Sequence, residues 1–114
     1  HYFLLYALFL TKLLSPMETT KKISLIEGSF TPSEAKEMLL DLYNKNINFN
    51  KVKNFSSQIR FGKDDKEAEE NIEKLTKSVH YITQFLKEAQ LENKNLVIKS
   101  VIEISYENEL QAVR

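Results

Sequence analysis

Residues 64–91 read DDKEAEENIEKLTKSVHYITQFLKEAQL and form the most regular stretch of the chain. Seven apolar side chains recur there at alternating intervals of four and three residues: Ala68, Ile72, Leu75, Val79, Ile82, Leu86 and Ala89. This spacing places all seven on one stripe of an α-helix. The stretch therefore predicts a long amphipathic helix over 64–91, with Asp64 as its N-cap and Glu67 completing a capping box.

The bulk composition describes one small globular domain. The chain has 114 residues, of which 42% are hydrophobic and 28% charged, and sixteen basic residues balance sixteen acidic ones. Zero net charge removes any global attraction to nucleic acid or to an acidic membrane. The sequence contains no cysteine, which excludes disulfides, thiolate metal sites and a cysteine nucleophile. A cytoplasmic location is expected, since such a chain fits a reducing compartment.

The first sixteen residues, HYFLLYALFLTKLLSP, form an apolar extension. They are too few to span a bilayer, which takes about 20 apolar residues, and a secretory signal would have a basic start. Three interpretations stay open: upstream translation with Met17 as the real start, a truncated membrane anchor, or a native core helix. A membrane partner is expected only in the second case. Residues 17–106 are predicted to form the domain and 107–114 a tail.

Two elements are predicted before the central helix. Residues 22–26, KISLI, favour a first strand. Thr31, Pro32 and Glu34 then have the pattern of a capping box with proline at the first helical position. This helix is expected to end at 44–46.

Residues 44–63, NKNINFNKVKNFSSQIRFGK, differ in composition from the rest. They include five asparagines, five basic residues and no acidic residue. Alternation at Ile47 and Phe49 is typical of a strand, whereas Val52, Phe55 and Ile59 suit a helical turn. We therefore predict an irregular connection containing a short strand or helix.

The last predicted element is a strand over 96–106, LVIKSVIEISY, because apolar and polar residues alternate there. Together these elements predict a small α+β domain in the order strand, helix, irregular segment, long helix, strand. Two or three short strands would form one sheet packed by two helices, with residues 47–49 as the third strand if there is one.

Three stretches carry a resemblance to a known family. They are IEGSFTPSEAKEMLL (26–40), NFSSQIRFGKDD (54–65) and VIKSVIEISY (97–106). Together they resemble a family of small uncharacterised bacterial proteins, a domain of unknown function with no assigned activity or cofactor. The resemblance implies that the 54–65 stretch belongs to the folded domain, and it implies no functional residues.

No catalytic, metal-binding or cofactor signature emerges from the residue pattern. His80 is the only internal histidine and has no partner at ligand spacing. The glutamates of 67–73 lie among lysines, which is typical of a solvated helix face. There is no glycine-rich phosphate loop, and Ser56 and Ser57 lack an identifiable base. We therefore expect a non-enzymatic protein without a cofactor.

Two functions from different classes stay open. The first is an interaction or structural protein that associates with itself or with another protein through the long helix, whose stripe repeats like a heptad. The heptad edges lack the paired charges that direct coiled coils, so most of the stripe is expected to pack inside the domain.

The second function is a nucleic-acid or anion-binding module built on residues 45–63. Its candidate surface consists of Lys45, Lys51, Lys53, Phe55, Arg60, Phe61 and Lys63. The basic side chains would contact phosphate and the phenylalanines would stack. The competing interpretation places the phenylalanines in the core, with the lysines balancing the acidic start of the next helix.

Overall fold

A computed structural model describes residues 2–6 and 20–107, and all structural statements below concern these ranges. Residues 2–6 are helical and exposed. Most of the apolar extension, including Met17, and the tail beyond 107 lie outside the described residues.

Four elements follow one another after residue 20. They are strand β1 (Lys21–Phe30), helix α1 (Pro32–Phe61), helix α2 (Lys66–Leu91) and strand β2 (Leu96–Ile104). The strands are neighbours in a two-stranded antiparallel sheet, which confirms a small α+β fold. The chain divides into two compact units: residues 28–98 form one, and the segments on either side of it form the other. The unit 28–98 contains α1 and α2, which pack against each other as a helical hairpin.

The predicted capping box starts α1. The Oγ1 atom of Thr31 accepts a hydrogen bond from the backbone N–H of Glu34 at 3.1 Å, and the N–H of Thr31 donates to Oε1 of Glu34 at 2.9 Å. Pro32 occupies the first turn, where a missing N–H costs nothing. The pKa of the Glu34 carboxyl is lowered first by the N–H of Thr31 and then by the Thr31 hydroxyl.

The prediction that this helix ends at 44–46 is wrong, because α1 continues without a break for 30 residues to Phe61. The irregular segment and the third strand at 47–49 are therefore absent from the described chain. Asparagine is only a weak helix former, but packing against a second helix outweighs such a propensity cost. The helix ends instead at Gly62, whose φ of 68° is a left-handed conformation that glycine adopts without strain.

The second helix begins one residue later than predicted. Asp65, rather than Asp64, is the N-cap, and its carboxylate accepts from the N–H of Ala68 at 3.0 Å. The predicted apolar stripe is confirmed, since all seven of its residues are buried or half-buried. At the far end Asn93 takes a φ of 54°, and the N–H of Lys94 donates to the carbonyl of Ala89 at 2.9 Å. This is a Schellman ending, with asparagine in the place usually taken by glycine.

The strands differ in length from their predictions. β1 extends to Phe30 rather than stopping at residue 26, and β2 stops at Ile104 rather than residue 106. The predicted alternation in β2 is confirmed over 96–101, where every second residue is half-buried. Beyond that point the strand is exposed on both faces, so Ile102 and Ile104 are not core residues.

Candidate interaction surface

The C-terminal half of α1 (residues 46–61) turns polar side chains toward α2. Asn50 is only 4% exposed. Its Nδ2 donates to the carbonyl and to Oδ1 of Asn46, at 2.9 and 3.2 Å, while its Oδ1 accepts from Nδ2 of Asn71 on α2 at 3.3 Å. These three residues form an asparagine seam between the helices. Because both ends of the Asn50 amide are paired, its burial leaves no polar atom unsatisfied.

Further polar contacts hold the tip of the hairpin. The Oδ1 atom of Asn54 accepts from the N–H of the α2 cap, Asp65, at 2.7 Å. Ser57 Oγ donates to the carbonyl of Lys63 at 2.9 Å. Each bond joins the end of α1 to the connection that follows it. The tip is therefore fixed by hydrogen bonds between side chains of α1 and the backbone.

Large apolar side chains occupy the opposite side of the same half of α1. Phe49, Val52, Phe55 and Ile59 are each 60–68% exposed. At 100° per residue they lie within an arc of about 120° centred roughly opposite Asn50. We refer to these four residues as the outer apolar face. At these positions the usual arrangement of a helix on a core is reversed, with the amide of Asn50 inside and Phe49 and Phe55 outside.

Cationic side chains flank the outer apolar face on both sides. Helical geometry places Lys51 along one edge and Lys53 with Arg60 along the other. The sequence has no acidic residue between Asp41 and Asp64 to neutralise them. Lys45, one turn before the face, forms an exposed ion pair with Asp41 at 3.0 Å. Within α1 the charged side chains beside the outer apolar face are therefore all cationic from Lys51 to Arg60, while Asp65 of the following segment shares a depression with Lys53 and Arg60.

One edge of this region borders an open depression of about 460 Å³. Its lining includes Phe49, Val52, Lys53, Ser56, Ser57, Arg60, Phe61 and Asp65. Two cations and two phenylalanines thus share one concave surface next to the hairpin tip.

The structure brings together only part of the predicted binding surface. Lys53, Arg60 and Phe61 line the depression, whereas Phe55 belongs to the outer apolar face and Lys51 to its far edge. The remaining two residues lie apart: Lys45 pairs with Asp41, and the backbone of Lys63 takes part in the connection.

Sequence reasoning missed the outer apolar face as a surface. Phe49, Val52, Phe55 and Ile59 follow one another at intervals of three, three and four residues, which is a helical spacing. This spacing predicts one face of a helix, but only if the segment is helical, and the segment was predicted to be irregular.

The start of α2 gives the hairpin tip an acidic side. The carboxyl of Asp64 accepts from Nε2 of Gln58. The pKa of Asp64 is lowered first by this bond and then by a hydrogen bond with Glu69, whereas the pKa of Glu69 is raised by the same partnership with Asp64. Glu67, Glu70 and other exposed polar residues continue this side along α2.

Other candidate features lead to no site. His80 is exposed on α2. Across residues 2–6 and 20–107, no three metal-ligating side chains come together. In the same ranges, no helix has both the length and the apolarity needed to cross a bilayer.

Comparisons with protein-family models, with curated proteins and with solved structures found no match to this chain. No family is therefore assigned to the chain.

Proposed function

We propose that this chain is a non-enzymatic interaction protein that binds its partner through the outer apolar face of α1. The observation that carries this proposal is the reversed polarity of residues 46–61. Single exposed apolar residues are common on protein surfaces, whereas contiguous apolar patches mark interaction sites. Four large side chains on one arc of one helix form such a patch.

The apolar stripe of α2 is a weaker candidate for the interaction surface than the outer apolar face. The stripe of α2 was the first candidate for self-association, but its residues are the buried and half-buried ones of the hairpin. Three of the seven are buried and four half-buried, so the stripe offers a partner less exposed apolar surface than the outer apolar face does. The absence of cysteine from the sequence supports a cytoplasmic setting for this module.

Site-specific photo-crosslinking tests the proposal in cells that express the full chain. Phe55 is replaced by p-benzoylphenylalanine, and the matched control carries the same replacement at Phe85 of α2, which is 51% exposed. We expect ultraviolet-dependent adducts of any class, whether protein, lipid or nucleic acid, at position 55 and few at position 85. Equal labelling at the two positions would contradict a dedicated surface on α1.

A second candidate function is binding of single-stranded nucleic acid or another polyanion at the depression. It is supported by Lys53 and Arg60, which lie two turns apart and share the depression with Phe49 and Phe61. Titration of a fluorescent oligonucleotide at two salt concentrations tests it. Lys53→Gln with Arg60→Gln would weaken such binding and reduce its salt dependence.

A further inference from the structure

We infer that the outer apolar face docks onto an anionic lipid surface. This inference rests on the proposed function and names its partner. The occupant of the face has to cover four apolar side chains and to bring negative charge to both of its edges. Lys51 stands on one edge, with Lys53 and Arg60 on the other. A basic amphipathic helix of this kind is typical of proteins that lie on membrane surfaces.

A second copy of the chain fits the face poorly. Two outer apolar faces placed together would bring Lys51, Lys53 and Arg60 of one copy against the same cations of the other, which is repulsive. The acidic start of α2 would supply the right charge, but its exposed residues there include Glu67, Glu70 and Lys74 and no large apolar side chain. Neither arrangement satisfies both the charge and the apolar surface.

The curvature of the face also favours lipid. The side chains project from the convex surface of a helix, and the fluid interface of a bilayer adapts to a convex helix. Lysine and arginine beside them reach the headgroups while their methylene stems cover apolar surface. Bases would stack on Phe49 and Phe55, but Val52 and Ile59 offer no aromatic ring. Nucleic acid would therefore leave half of the face unused.

The dimensions agree with shallow insertion. From Phe49 to Ile59 the face extends about 15 Å along the helix axis. Interfacial helices bury their apolar side about 5–10 Å deep. The asparagine seam and α2 lie on the other side of α1, where they would remain in water with the acidic residues.

Vesicle co-sedimentation of the full chain tests the inference. Vesicles of phosphatidylcholine with phosphatidylglycerol are compared with pure phosphatidylcholine, at low and at high salt. We expect binding to the anionic vesicles only. The pair Phe49→Ser and Phe55→Ser should weaken it at least about tenfold, while Phe85→Ser, the matched control on α2, should leave it unchanged.

Variants without the cationic side chains separate the electrostatic contribution to vesicle binding from the apolar one. Each cation near an anionic leaflet strengthens binding about fivefold. Lys53→Gln with Arg60→Gln should therefore weaken binding about twentyfold to thirtyfold. Lys74→Gln with Lys87→Gln removes the same charge from α2 and should have little effect. Equal losses in the two pairs would overturn the assignment of the surface.

A fluorescent label gives a readout that does not depend on losing affinity. Because the sequence has no cysteine, Phe55→Cys and Phe85→Cys each offer one position for an environment-sensitive dye. We expect a blue shift on anionic vesicles at position 55 only. Far-ultraviolet circular dichroism verifies that both labelled proteins are folded.

Several outcomes would overturn the inference while leaving the proposed function intact. These are crosslinks from position 55 to protein with no vesicle binding, a dimer in light scattering that Phe49→Ser with Phe55→Ser dissociates, and oligonucleotide binding without lipid binding. Equal binding to both vesicle types would overturn the requirement for anionic lipid. Equal crosslinking at positions 55 and 85 would instead overturn the proposed function itself.

Discussion

The two halves of α1 pack against the hairpin in opposite ways. In the N-terminal half, Ala35 is fully buried and Met38, Leu39 and Tyr43 are half-buried, as on an ordinary amphipathic helix. In the C-terminal half, Asn50 is buried while the phenylalanines are exposed. Yet the backbone is one continuous helix. Helical geometry therefore does not require a single apolar face along the whole element.

The exposed apolar residues of the C-terminal half contribute little to the core of the hairpin. Burial of a large apolar side chain contributes about 1.5–3 kcal/mol, and the C-terminal half gives up this contribution at Asn50. Buried amides of this kind specify register in coiled coils, at some cost in stability. Phe49 and Phe55 on the opposite side are exposed, so we expect them to add little to folding, in keeping with the interaction proposed for the outer apolar face.

The largest expected difference in stability is between truncating a buried side chain of α2 and truncating an exposed side chain of the outer apolar face. Leu86→Ala, at a position 4% exposed on α2, should lower the free energy of unfolding by about 2–5 kcal/mol because it opens a cavity. Phe55→Ala on the outer apolar face should change it by no more than about 0.5 kcal/mol. Urea denaturation measures both. A comparable loss for Phe55→Ala would show that the outer apolar face is part of the core.

Substitutions in the asparagine seam are expected to have an intermediate effect on the free energy of unfolding. Asn50→Ala should lower the free energy of unfolding by about 1–3 kcal/mol, since it leaves the Asn71 amide without its partner. Replacing both residues, as Asn50→Leu with Asn71→Leu, should cost far less or even stabilise the hairpin. The single variants Asn50→Leu and Asn71→Leu complete a double-mutant cycle with this pair, and additive losses in that cycle would show that the two amides do not interact.

The smallest expected change in stability comes from Glu69, at the acidic start of α2, and it depends on pH. The raised pKa of Glu69 means that its protonated form is favoured in the folded state. The stability it contributes is fully present below its ordinary pKa of 4.5 and is lost as the pH rises through the raised value. Glu69→Gln, whose amide donates at every pH, should therefore be more stable than the natural chain at pH 7 and similar to it near pH 4.

The control for this prediction is Glu70→Gln, which removes the same charge one residue further along α2. Urea midpoints at the two pH values compare the variants. A gain at pH 7 of equal size in both variants would show that general charge repulsion, and not the bond between Asp64 and Glu69, is responsible.

Local patterns predicted α2, its stripe and the start of α1 with good accuracy. The stripe of seven residues recurs over six turns, and the box at Thr31 and Glu34 is a local hydrogen-bond pattern that no distant residue has to complete. The identity of the α2 cap was wrong by one residue, because Asp64 and Asp65 are equally suited to capping. Two tertiary bonds distinguish them: the N–H of Asp65 donates to Oδ1 of Asn54, and the carboxyl of Asp64 accepts from Nε2 of Gln58.

The helical structure of residues 44–63 could not be predicted from the local sequence, for a physical reason. Asparagine favours turns and helix ends in isolation, because its amide competes for backbone hydrogen bonds. In the hairpin the same amides bond across to Asn71 and to the N–H of Asp65. These partners lie 11 to 21 residues away in sequence, so no local window contains them.

The amino-acid pattern alone predicts the α+β composition, the capping box of α1 and the apolar stripe of α2, because each depends on residues within a few turns of one another. The continuation of α1 to Phe61, and the choice of its outer side, depend on packing against α2. Asn50 and Phe49 are neighbours in the chain, and it is the position of α2 that buries one and exposes the other. The outer apolar face is thus a property of the packed hairpin.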